Sequence, residues 1–169
     1  MIEWIKETAQ KLKPDILSAA NITTIENSPR SYLDISLDDK IKPTIYIGTL
    51  DRSNNAITGT IAHEIAHILL RELDFHKKPY FKLFKKLTKS NQKAIRYSYN
   101  IALLTGYIYR HETKADRLGH KLLISAGFNQ DCMIEMLQGM KSKGLLQYIL
   151  KRRRLTAIRQ IIRHSLNKN

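Results

Sequence analysis

The chain has 169 residues, 43% hydrophobic and 26% charged, with a formal net charge of +14. These are globular values, enough for one domain with its own core, and they exclude a disordered or fibrous chain. A single cysteine, Cys132, excludes an intramolecular disulfide and reads as a small buried hydrophobe in a reducing, cytoplasmic protein.

The N-terminus has no apolar core of signal-peptide length, and no run approaches a membrane span of about 18 residues. The positive charge is uneven. Residues 1–75 carry a net −3, residues 76–98 a net +8, residues 99–140 are neutral, and residues 141–169 carry +9. Such blocks are either solvated helix faces or contacts to an anionic membrane or nucleic acid.

Residues 2–13 place Ile2, Ile5, Ala9 and Leu12 at helical spacing, and residues 15–20 can extend that helix past Pro14. Residues 21–30 are polar and read as a loop. Residues 31–37 alternate apolar and polar, and residues 44–50 are rich in β-branched side chains; the two runs read as paired strands around a turn at 38–40. A turn over 51–55 ends in helix-capping residues, and a central helix is expected over 56–73. Gly59 weakens that helix unless close packing requires a missing side chain. Ile57, Ile61, Ile65 and Leu69 form one stripe of the helix, and His63 and His67 lie on another.

Residues 75–89 are lysine-rich with interleaved aromatics that suit core or a membrane edge better than base stacking. A helix follows from Ser90 or Asn91 to about residue 105. The next runs over 107–126 with Gly127 as its C-cap. Asn129 then caps a helix holding Met133, Ile134, Met136 and Leu137, ended by Gly144. The last helix begins near Leu145.

The central helix carries His63-Glu64-Ile65-Ala66-His67, an H-E-x-x-H pattern. Residues four apart lie on one helix face, so two imidazoles can aim at one Zn²⁺. Glu64 is placed to take a proton from a water at that ion. Two ligands are one short of the usual catalytic set. The metzincin extension fails, because Leu70 and Leu73 stand where Gly and His are needed.

The best third ligand is Glu112, in His111-Glu112-Thr113-Lys114-Ala115-Asp116. Asp116 shares its helix face and can orient a zinc histidine from behind. His111 and His120 are rival ligands. Surface ion pairs of Glu112 or Asp116 with Arg110 or Arg117 are the plainer alternative.

With these motifs, the chain resembles the gluzincin metallopeptidases of the CAAX prenyl protease and HtpX class, whose pattern is H-E-x-x-H followed by E-x-x-A-D. The resemblance spans roughly residues 43–144. It implies a zincin-like fold; the elements read along the chain add up to an α+β, predominantly helical protein in one domain over 1–169, with a basic C-terminal helix from about 145. It also implies one Zn²⁺ held by His63, His67 and Glu112, with Glu64 as general base and Asp116 behind the ligands. The 44–50 strand would be the edge to which an extended peptide substrate adds.

Members of that family often carry spanning helices between the motifs, where this chain is basic and aromatic. They also tend to have a His-Pro pair before an Arg-Ile near the C-terminus. Here Arg153-Arg154 and Arg159-Gln160 occupy those approximate places, leaving Tyr148, Arg159 and His164 as candidates to steady an oxyanion. A second, weaker resemblance is to ImmA/IrrE-type metallopeptidases, for which the 45-residue step from His67 to Glu112 is long.

The activity expected is zinc-dependent hydrolysis of peptide bonds in a protein or peptide substrate. The reading from another class is a basic adaptor for nucleic acid or anionic membrane, acting through residues 76–98 and 141–169 around a non-catalytic metal. A purely structural zinc site normally needs four Cys or His ligands, and one cysteine argues against it.

Overall fold

Helix α1 (Ile2–Leu12) opens the chain in the computed structural model, which describes residues 1–28, 30–34, 42–70, 106–142 and 144–166. Ile5, Ala9 and Leu12 are its buried apolar face, as their spacing predicts. Pro14 lies in a turn, and the expected extension is a separate helix, α2 (Ile16–Ala19).

Residues 21–25, expected to be loop, form strand β1 (Asn21–Ile25). Its Ile22 is buried, so a short polar segment with one inward isoleucine was enough to add a strand to the sheet. Strands β2 (Tyr32–Asp34) and β3 (Thr44–Gly48) pair antiparallel, with Leu33 opposite Ile45 and Tyr32 stacked on Tyr46 at 4.7 Å. β1 runs parallel to β3 with Ile22 opposite Ile45, giving the order β1-β3-β2. This corrects the expected role of β3. It is the central strand, its backbone engaged by β1 and β2, and so it does not offer a free edge to a substrate. Its Ile45 and Ile47 are fully buried.

Helix α3 (Asn54–Leu69) starts at Ser53, whose hydroxyl accepts from the Ala56 amide at 3.1 Å. Every residue from Ala56 to Ala66 is buried, so this helix is apolar-surrounded and sits at the centre of the molecule. Ile57, Ile61 and Ile65 join the core as expected, whereas Leu69 is partly exposed. Helix α4 (Tyr107–Ser125) is followed by Gly127, and α5 (Cys132–Gly139) and α6 (Leu145–Leu166) complete the chain. Asn129 does not cap α5; its side chain accepts from the Asp131 amide, and α5 begins after Asp131. Gly144 opens α6 rather than closing α5, its carbonyl accepting from the Tyr148 amide.

The architecture is therefore α+β, mostly helical, with a three-stranded sheet. Ile22, Ile45 and Ile47 share one core with Ile5, Ile57, Ile61, Met133, Leu137, Ile158 and Ile162. Two glycines set how closely the helices approach. A Cβ on Gly59 would stand 2.2 Å from the Cys132 carbonyl oxygen, which explains a glycine inside α3. A Cβ on Gly119 would stand 3.1 Å from the Ala62 carbonyl and 2.7 Å from Met133 Cε. Gly119 thus lets α4 close on α3 one residue from His63. No helix among the described residues is long and apolar enough to cross a membrane. The lysine-rich segment 75–89 and the helix expected before residue 105 lie outside the described residues.

Candidate metal centre

α3 and α4 build the site between them. His63 and His67, one turn apart on α3, face each other with their Nε2 atoms 3.0 Å apart and their rings nearly perpendicular. Glu112 on α4 reaches both imidazoles: Oε2 is 3.4 Å from His63 Nε2 and Oε1 is 3.6 Å from His67 Nε2. One donor atom from each of the three side chains lies within 4.8 Å of the others, so one ion can touch all three.

Asp116, one turn along α4, is fully buried, with Oδ1 2.9 Å from His63 Nδ1. That contact is close enough for strong attraction, although the ring N–H is not aligned for a regular hydrogen bond. His120, a rival ligand on the same face, is buried with Nδ1 unpartnered and stands outside the His63–His67–Glu112 group. His111 is likewise outside it. Arg110 and Arg117, the surface partners considered for the two acids, are exposed.

Among the described residues, the cation that meets these acids is Arg154 of α6. Its Nε and Nη2 donate to the two Asp116 oxygens, each at 2.7 Å, while Nη1 lies 2.7 Å from Glu112 Oε2. This bidentate grip is the strongest geometry available to a guanidinium and a carboxylate. Sequence reading absorbed Arg154 into the basic run at 151–154. The signal that marks it is phase: Arg154, Ile158 and Ile162 recur every four residues and are the buried positions of α6 among the described side chains. The residues considered for steadying an oxyanion are a different set. Tyr148, Arg159 and His164 are exposed, and His164 Nδ1 lies 2.7 Å from the Gln160 carbonyl on its own helix.

Burial opposes charge on His63, but Asp116 and Glu112 outweigh it and raise the imidazole to about 10. Burial also works to raise Glu112; His63 and Arg154 overcome it and hold the carboxyl far below its usual range. Asp116 follows the same pattern, with Arg154 and then His63 overcoming burial. Glu64 differs. It is buried beside the imidazoles, and burial pushes its carboxyl up, partly countered by His63 and His67. A carboxylate in that setting is a stronger base than one in water.

Arg52 was also not anticipated. From the β3–α3 turn it donates to Ser31 Oγ at 3.0 Å, to the Ala56 carbonyl at 3.3 Å and to Thr60 Oγ1, tying the sheet to α3. At the far side, Ser53 Oγ and Asn55 Nδ2 donate to the Glu135 carboxylate at 2.6 and 2.7 Å, tying α3 to α5. The Cys132 thiol is buried and pushed up to about 11, chiefly by burial, which suits packing rather than nucleophilic chemistry.

No protein-family model and no curated protein matches this chain.

Proposed function

We propose that this protein is a zinc-dependent endopeptidase of gluzincin type, with a zincin-like arrangement of sheet and H-E-x-x-H helix. The convergence of His63, His67 and Glu112, with Asp116 behind His63, is the observation that carries the reading. A tetrahedral zinc with ligands at about 2.0–2.1 Å spaces its donors about 3.3 Å apart. The two imidazole nitrogens, 3.0 Å apart, and the two Glu112 oxygens, Oε2 at 3.4 Å from His63 and Oε1 at 3.6 Å from His67, lie close to that spacing.

His63, His67 and Glu112 would hold the Zn²⁺, which would supply a Lewis acid for a peptide carbonyl and for water. The chain's own residues divide the remaining work. Asp116 favours a proton on His63 Nδ1, which leaves the Nε2 lone pair for the ion. Arg154 holds Asp116 and Glu112 in register with each other. Glu64 takes the proton of the attacking water and delivers it to the leaving amine, a transfer that its raised basicity favours.

The test is metal content together with casein digestion. Wild-type protein should bind one zinc per chain and cleave casein. Glu64→Gln should keep the zinc and lose about 10²–10⁴-fold in rate, the usual worth of a general base. Glu112→Gln should weaken zinc retention. Full activity in Glu64→Gln, or zinc retained unchanged in a His63→Ala/His67→Ala protein, overturns the proposal.

A further inference from the structure

We propose that the outer face of α6, with the turn before it, docks the protein on an anionic lipid surface. α6 has two contrasting faces. Inward, it buries Arg154, Ile158 and Ile162. Outward, its first two turns expose Leu145 at 74%, Tyr148 at 47% and Ile149 at 38%, and Met140 of the preceding turn is exposed at 42%. Further along the same outer face Arg152, Arg153, Arg159 and Arg163 are exposed. No acidic residue occurs in residues 141–169.

An apolar tip followed by a row of arginines matches the depth profile of a membrane interface. The apolar side chains enter the acyl boundary, the tyrosine lies at headgroup level, and the guanidinium groups meet phosphate. The tip is held in place beforehand. Lys151 Nζ donates to the carbonyls of Gln138 and Met140 at 2.8 and 2.7 Å, holding the end of α5 and Met140 against α6. The Arg152 guanidinium lies 5.8 Å from the Tyr148 ring centroid, at the junction of the apolar and basic parts.

Charge and polarity select this occupant over others. Nucleic-acid interfaces are polar as well as basic, and leave no use for four exposed apolar side chains. A second copy meeting face to face would set arginines against arginines without an acidic partner. Anionic lipid satisfies both halves of the surface at once. The inference does not depend on the metal centre, because Arg154 and the outer face lie on opposite sides of α6.

The experiment is co-sedimentation of the full chain with vesicles of equal parts phosphatidylglycerol and phosphatidylcholine, against pure phosphatidylcholine. Wild type should pellet with the anionic vesicles and remain in solution with the neutral ones. Leu145→Asp/Ile149→Asp, with an unchanged circular dichroism spectrum, should bind at least about tenfold more weakly. Arg152→Gln and Arg153→Gln should each cost about fivefold. Glu64→Gln should bind like wild type. The proposal is overturned if the double aspartate variant pellets like wild type, or if neutral vesicles bind equally. It is overturned equally if those substitutions abolish duplex DNA binding or a concentration-dependent dimer while vesicles fail to bind.

Discussion

Arg154 grips both oxygens of Asp116 through two separate nitrogens, and Asp116 in turn faces the imidazole of His63. A residue 38 positions away on the C-terminal helix therefore determines where the carboxylate behind the candidate metal ligand can sit. The same guanidinium also contacts Glu112 at 2.7 Å.

Arg154→Leu should be severely destabilising. It leaves the fully buried Asp116 carboxylate without its cation, a loss of about 3–5 kcal/mol in comparable buried pairs. Urea unfolding measures it. Arg154→Lys should not restore stability, because an ammonium cannot reproduce the bidentate grip. The double variant Arg154→Leu/Asp116→Leu should be more stable than Arg154→Leu alone, since no charge is then stranded.

Asp116→Asn should lower zinc affinity about 10–100-fold, as loss of an outer carboxylate partner usually does. Chelator competition is the appropriate measurement. An affinity equal to that of wild type would show that Asp116 does not tune His63.

The stability of the metal-free protein should fall at both ends of the pH scale. His63 is raised from 6.5 to about 10, so its contribution is complete below about pH 6.5 and is lost as pH rises toward 10. Glu112 and Asp116 are lowered, so theirs is present above their ordinary values of 4.5 and 3.8 and is lost as pH falls further. Glu64, raised by burial, works against this acid loss and reduces it. Zinc should abolish the alkaline arm, because ion and proton compete for His63, and zinc affinity should itself rise with pH. Thermal melts across pH, with chelator and with zinc, provide the check.

Gly59→Ala should lower the melting temperature by about 5–10 °C, despite alanine's better helix propensity. The added methyl would stand 2.2 Å from backbone at Cys132, which cannot yield without moving α5. Gly119→Ala should cost less, since its nearest neighbour is the flexible end of Met133. It should nevertheless weaken zinc binding, because any retreat of α4 from Ala62 carries Glu112 and Asp116 away from His63.

The courses of α1, α3, α4 and α6, the pairing of β2 with β3, and the alignment of His63 with His67 were legible because each depends on local periodicity. A residue three or four positions along a helix has its direction set by the helix itself. Gly59 was legible only as a conditional, since the Cys132 carbonyl that demands it lies on another element. The β1 strand was missed because its pairing with β3 is long-range, and the polar composition of residues 21–30 carries no alternation that reveals it. The edge role of β3 came from the family resemblance, and chain neighbours could not correct it because they do not state which strand lies in the middle of a sheet.

Arg154 shows the same division most clearly. In the linear chain it is one of four consecutive basic residues, three of which keep the character of that run. Packing alone turns the fourth inward, because α6 lies along α4 in the phase that buries Ile158 and Ile162. Local chemistry limits what a side chain is able to do. Which partners it meets depends on contacts between segments far apart in the chain, and those exist only once the core has formed.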